Sequence, residues 1–154
     1  MIKKLAAVLL ILIGSPLFAE GPEDLIGYWQ YDGFFYEDNR YANPNPDLNL
    51  IFRFEENGTS HLVWTRKNDG EFCERHAQYV ADAQTLSQTV SWVNPKNSKA
   101  CAADQDMQLG RQTETHYEFH GEELWLQFDL NGKPFFYILK ATVAIGNIPT
   151  PALQ

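Results

Sequence analysis

Residues 48–67 read LNLIFRFEENGTSHLVWTRK. Leu48, Leu50, Phe52 and Phe54 alternate with Asn49, Ile51, Arg53 and Glu55, so one row of large apolar side chains falls on a single face of an extended segment. Glu56-Asn57-Gly58-Thr59 then brings an Asn-Gly pair, and the positive φ values such a pair accepts suit a type I′ hairpin. The chain returns as Ser60 to Lys67, with Leu62 and Trp64 sharing a face. A period of two on both sides of a tight turn predicts a β-hairpin.

The same grammar extends outward in both directions. Downstream, Asn68-Asp69-Gly70 leads into a strand from Glu71 to about Ala81, with Cys73, Ala77, Tyr79 and Ala81 on one face. Thr85 to Val93 follows, rich in Thr and Val, with Leu86, Val90 and Trp92 on one side. After a loop from Asn94 to Asp106, Gln108 to His120 reads as a long strand in two parts, with Gly110 as a bulge and Thr115, Tyr117 and Phe119 on one face. Leu124, Leu126 and Phe128 alternate next, Asn131-Gly132 turns the chain, and Phe135, Tyr137 and Leu139 close the pattern. Upstream, Trp29, Tyr31 and Phe35 share a parity and Gly33 permits a bend. The expectation is an all-β, antiparallel up-and-down barrel of about eight to nine strands, since closure removes the edges that a flat sheet of that size leaves exposed. An open sandwich with the same strands is the structural alternative.

The N-terminus speaks to compartment. Lys3 and Lys4 precede an apolar run from Leu5 to Ile13, and Gly14, Ser15 and Pro16 break it before Ala19. That is the pattern of a secretory signal peptide over residues 1–19, too short for the roughly 20 apolar residues of a spanning helix. A lipoprotein needs a cysteine at the cleavage point, whereas the first cysteine is Cys73. Removing the leader leaves about 135 residues, the usual size of one domain. We assign 20–145 to that domain and 146–154, with Pro149 and Pro151, to a flexible tail. The protein is expected to be periplasmic or secreted.

The whole chain carries a formal charge of −8, and losing Lys3 and Lys4 makes the remainder more acidic still. With no basic run, nucleic acid is excluded as a partner, and anionic lipid is disfavoured. Cys73 and Cys101 are the two cysteines of the chain, and an oxidising compartment makes one disulfide the default. Glu37 to Asp47, with Asn39, Asn43, Pro44, Asn45 and Pro46, is too long for a tight hairpin; such loops carry function over a mouth or serve as plain connectors.

Gly27-Tyr28-Trp29 on the first strand, a long first loop and a meander of about eight strands after a signal peptide resemble the lipocalins, in particular bacterial lipocalin-like domains. The resemblance implies that Trp29 closes the bottom of the barrel and that Tyr36 to Asp47 forms a lid over its mouth. It also implies a cation packed against the Trp, for which Arg111 and Lys140 are the candidates. The family's Thr-Asp-Tyr sequence is missing from this chain.

With four Trp, seven Tyr and ten Phe, an eight-stranded barrel either fills its interior with rings or holds one small ligand. The inward candidates for ligand contact are Phe52, Trp64, Tyr79 and Tyr117, with Tyr36 and Tyr41 from the lid and Arg75 fixing an acidic head group. Burying such rings is also what stabilises a core, which is the competing role for each. Glu114, His116, Glu118 and His120 share one strand face, where neighbours about 6.8 Å apart would chelate a metal only in pairs. The same alternation is what a solvated face shows when Thr115, Tyr117 and Phe119 point inward. No metal or cofactor is therefore assigned.

Catalysis finds no support. His61 and His76 stand apart from any nucleophile-elbow serine, the Glu55-Glu56 and Glu122-Glu123 pairs flank turns, and the glycines stand singly rather than in a phosphate loop. Asn57-Gly58-Thr59 fits a glycosylation sequon but reads first as a turn. The leading expectation is an exported, non-enzymatic protein that binds a small apolar or amphiphilic molecule inside its barrel. The alternative is an interaction module, such as an inhibitor of an exported hydrolase, acting on an exported protein partner through loop 37–47 or loop 94–106.

Overall fold

A computed structural model describes residues 22–143 of the chain. A 3-10 turn, Pro22–Leu25, precedes nine strands: β1 (Gly27–Tyr36), β2 (Asn39–Ala42), β3 (Leu48–Phe54), β4 (Thr59–Arg66), β5 (Phe72–Ala81), β6 (Thr85–Val93), β7 (Gln112–His120), β8 (Glu123–Leu130) and β9 (Lys133–Thr142). Every pairing is antiparallel, and β9 returns to β1, from Tyr28 opposite Thr142 to Tyr36 opposite Phe135. Eight strands thus close into a barrel. β2 is the ninth, sharing one edge of β1 with β3: β3 pairs with Gly27 to Gln30 and β2 with Gly33 to Tyr36. The expected leader (1–19), the end of the expected domain and the tail (146–154) lie outside the described residues.

Alternation builds the interior as the sequence implies. Trp29, Phe52, Phe54, Leu62, Trp64, Cys73, Tyr79, Leu86, Tyr117, Leu124, Leu126 and Leu139 form one buried cluster inside the barrel. Two bulges shift the parity. In β1 the register slips between Tyr31 and Gly33, so that Asp32 is an extra residue. Beyond it Phe34 and Tyr36 join the face of Tyr137 and Phe135, while Phe35 turns outward against Trp125 (5.2 Å between ring centroids). In β6 Ser91 is the extra residue, and Trp92 leaves the expected inner face for the outer one, where it is 39% exposed and lies 4.4 Å from the His76 ring. Strict alternation counts one residue per step, and a bulge breaks that count.

The turns also refine the sequence reading. Asn131 and Gly132 both take positive φ (57° and 78°), as a type I′ hairpin needs. At Asn57-Gly58 only Gly58 does; its N–H donates to the Glu55 carbonyl (3.1 Å), giving a type I turn followed by a left-handed glycine. The segment expected as a lid is instead a hairpin: Glu37 and Asp38 take φ of 47° and 60° and reverse β1 into β2, and Lys133 pairs with Glu37 beside the turn. Gly33 is where β2 crosses so closely that a Cβ would sit 2.2 Å from the Tyr41 carbonyl oxygen. Gly110 lies outside β7, in the connection before it.

The two ends of the barrel differ. At one, Leu25 is fully buried and its carbonyl accepts a hydrogen bond from Trp29 Nε1 (2.8 Å), so Trp29 does stand at a closed base. Neither expected cation serves it: Lys140 pairs with Asp32 (2.9 Å) on the outer face, and Arg111 lies toward the other end. Tyr79 donates to the Glu55 carbonyl (2.8 Å) and Tyr117 to that of Asp82, tying the rings to turns at the base. The connection from β6 to β7 folds over the other end through two 3-10 turns, Lys99–Ala103 and Gln105–Met107, with Cys101 and Met107 buried in the cluster. Cys101 is disulfide-bonded to Cys73, with Cα atoms 5.7 Å apart. Ser98 and Asn97 bond the β5 backbone at Phe72 and Glu74, so this connection is laced to the barrel and does the covering expected of residues 36–47.

Candidate functional site

The ladders around β7 are offset. β6 pairs with Gln112 to His116, whereas β8 pairs only with His116 to His120. Gln112 to Thr115 and the facing end of β8, Phe128 to Leu130, therefore diverge without a shared ladder, and the barrel wall opens between them. A cavity of about 580 Å³ occupies this split and reaches inward to Arg75 on β5 and Gln88 on β6. Thr113, Thr115, Leu126 and Phe128 form its sides, while Asp106, Glu114, Asp129 and Arg111 stand around its opening.

Arg75 is the chemically unusual member. Its neighbours Cys73 and Ala77 on the inner face are apolar, and Arg75 follows them inside, 4% exposed as a residue. Its Nε and Nη1 are buried with no hydrogen-bond partner. Burial pulls its pKa down, and Asp106 and then Asp104 oppose that through their charge. A guanidinium keeps its proton in a protein, so the position holds a buried cation short of acceptors. Beside it, Gln88 is committed on one side, its Oε1 accepting from Ser60 Oγ (2.8 Å).

An aromatic wall continues upward from the cavity. Phe128 lies 4.9 Å from Tyr137, which meets Tyr31 at 5.0 Å and Phe135 at 5.4 Å; Phe34 follows at 5.2 Å from Phe135. Burial, with Tyr137 second, pushes the Tyr31 phenol up to about 12. Tyr137 is raised by burial first and then by Asp106 and Asp104.

Of the residues expected to meet a ligand, Arg75 alone lines this cavity. Phe52, Trp64, Tyr79 and Tyr117 are buried in the packed cluster, the two tyrosines with their hydroxyls tied to the base. Tyr36 and Tyr41 belong to the β1–β2 hairpin; Tyr41 is 44% exposed and stacks on Phe34 at 4.8 Å. Glu114, His116, Glu118 and His120 lie on the outer parity of β7, where His120 pairs with Glu118 (2.9 Å) and stacks on Trp125 (4.2 Å). Among the described residues no group of three or more His, Cys, Asp or Glu is placed to hold a metal ion. Gln88, Thr113, Thr115 and Phe128 were outside the expected set, and the signal that reaches them is the mismatch in ladder length, which residue types do not carry.

No family model matches the chain, and no curated protein does. A crystal structure of a lipocalin-like protein from Bacteroides uniformis superposes on it with a TM-score of 0.52, at 19% identity, covering 77% of this chain and 99% of that one. The fold is lipocalin-like. For a lipocalin-like barrel at this level of identity the likeness is one of architecture, so the chemistry of the site rests on this chain's own residues. The closed eight-stranded sheet, Trp29 at its base and the disulfide are the parts of the sequence reading that the structure carries.

Proposed function

We propose that this lipocalin-like protein is an exported carrier that binds a small amphiphilic molecule through the split between β7 and β8, with an anionic group of the guest meeting Arg75. One observation carries the reading: Arg75, a residue 4% exposed, with its Nε and Nη1 buried and unpartnered, at the inner end of a cavity of about 580 Å³. Leaving a buried charge short of partners costs several kcal/mol, and an anion that supplies acceptors offsets that cost. Phe128 and the ring of Tyr137 behind it offer apolar surface to the rest of the guest. The reading is of binding and release without covalent chemistry. Export agrees with the Cys73–Cys101 bridge and with the leader read from residues 1–19. No described helix is long and apolar enough to cross a membrane.

The test is native mass spectrometry of protein purified from its own host, followed by calorimetric titration of the emptied protein with octanoate. We expect a retained small adduct, saturable octanoate binding, and a loss of at least about tenfold in affinity in Arg75→Met, about 1.4 kcal/mol. A correctly folded Arg75→Met protein that binds octanoate as the parent does overturns the assignment.

A further inference from the structure

The opening of the cavity carries the opposite charge from its depth. Arg75 lies within, while three carboxylates, Asp106, Glu114 and Asp129, stand at the rim against the single guanidinium of Arg111, with His116 beside them. A guest presenting only an anion would pass a rim whose carboxylates repel it, and a guest that is only hydrocarbon would leave Arg75, Gln88, Thr113 and Thr115 without the water they lose. Resting on the carrier reading above, we infer that the ligand is a zwitterion, its carboxylate directed to Arg75 and its ammonium group to the rim carboxylates. Small amino acids with separated charges, short peptides and betaines form that chemical class.

Three features of the cavity support this order of charges. The buried end has an unpartnered donor and the rim has exposed acceptors, so a molecule with one charge of each sign satisfies both ends at once. Phe128 lies on the path between them, and a ring face attracts an ammonium or quaternary nitrogen. Asp106 belongs to the connection bridged to β5 through Cys101 and Cys73, two residues before Arg75, so this one rim carboxylate and the buried cation are held in a fixed relation.

Calorimetry with three series of matched chain length, n-alkanoates, ω-aminoalkanoates and n-alkylamines from four to eight carbons, tests the inference on the full folded protein. The best ω-aminoalkanoate is expected to bind at least about fivefold tighter than its alkanoate, and the amines to bind weakest, as unlike charges at matched positions add to affinity. Asp106→Asn combined with Asp129→Asn should shrink the preference for the amino series while leaving alkanoate binding at least as tight; Glu114→Gln serves as a second variant if that pair proves unstable. If every alkanoate binds as well as its amino counterpart, the zwitterion is overturned and the anion carrier stands. If neither series binds, both fall.

Discussion

His61 and His76 face each other across β4 and β5 with ring centroids 3.9 Å apart. They are the middle of a row on the outer face, in which Tyr28, Arg53, His61, His76 and Trp92 are cross-strand partners over five strands. Arg53 sits over the Tyr28 ring at 5.2 Å, Glu55 approaches Arg53 (2.8 Å) and His61 (3.4 Å), and Glu74 approaches His76 (3.7 Å). Burial lowers the His61 pKa first, and the His76 and Arg53 charges lower it further against Glu55 and Glu74. Below the ordinary histidine value of about 6.5 the unfolded chain therefore binds a proton that the folded chain resists, and stability falls as pH drops through that window. The urea midpoint should be lower at pH 5 than at pH 7.5, and His61→Gln should flatten the difference; an unchanged slope in that variant refutes the account.

The disulfide should matter more than any single surface contact. Joining residues 28 apart in sequence, Cys73–Cys101 is worth on the order of 3 to 4 kcal/mol in the chain-entropy model. Cys73→Ser with Cys101→Ser is expected to lower the unfolding free energy by about that amount and to speed amide exchange over residues 99–107. Equal protection there in both proteins would show that the Asn97 and Ser98 bonds to β5 suffice.

Gly33 tolerates no side chain while β2 remains in place, because the added Cβ meets a backbone carbonyl at 2.2 Å. Gly33→Ala should cost about 1 to 3 kcal/mol, as overpacking against a fixed partner does. Amide protection should be lost first across Asn39–Ala42, and a melting temperature and exchange pattern matching the parent's would exclude the close crossing.

Arg40 pairs with Glu123 (2.7 Å) and Asp32 (3.1 Å), and that contact holds the Glu123 carboxyl below its usual range. The Arg40 side chain is nonetheless 45% exposed. Exposed pairs contribute about 0 to 1 kcal/mol, so Arg40→Ala should leave chemical denaturation nearly unchanged. A loss comparable to that of the disulfide variant would mean the network does more than its exposure allows.

Much of the barrel was legible because alternation is a direct consequence of the pleat: Leu48 to Phe54 and Cys73 to Tyr79 mark their own inner faces. Arg75 stood out as a cation inside such a row. What escaped depends on geometry that residue types do not encode. Asp32 and Ser91 are ordinary residues, and only the pairing shows them to be extra. Glu37 and Asp38 take left-handed backbone without glycine or asparagine, so the first hairpin read as a loop. The cavity escaped because it arises from where the β7–β8 ladder stops, at His116 opposite Gln127.

On the carrier reading, a gap between the staves has a kinetic meaning. A rim of loops sets the pace of exchange by how often a flap lifts, whereas here the two strands flanking the gap, joined only from His116 to His120 on the β7 side, would have to breathe. Residence time of such a guest should then follow the local opening of 112–115 and 128–130, so that a cross-link sewing this seam would slow its release while leaving Arg75 untouched.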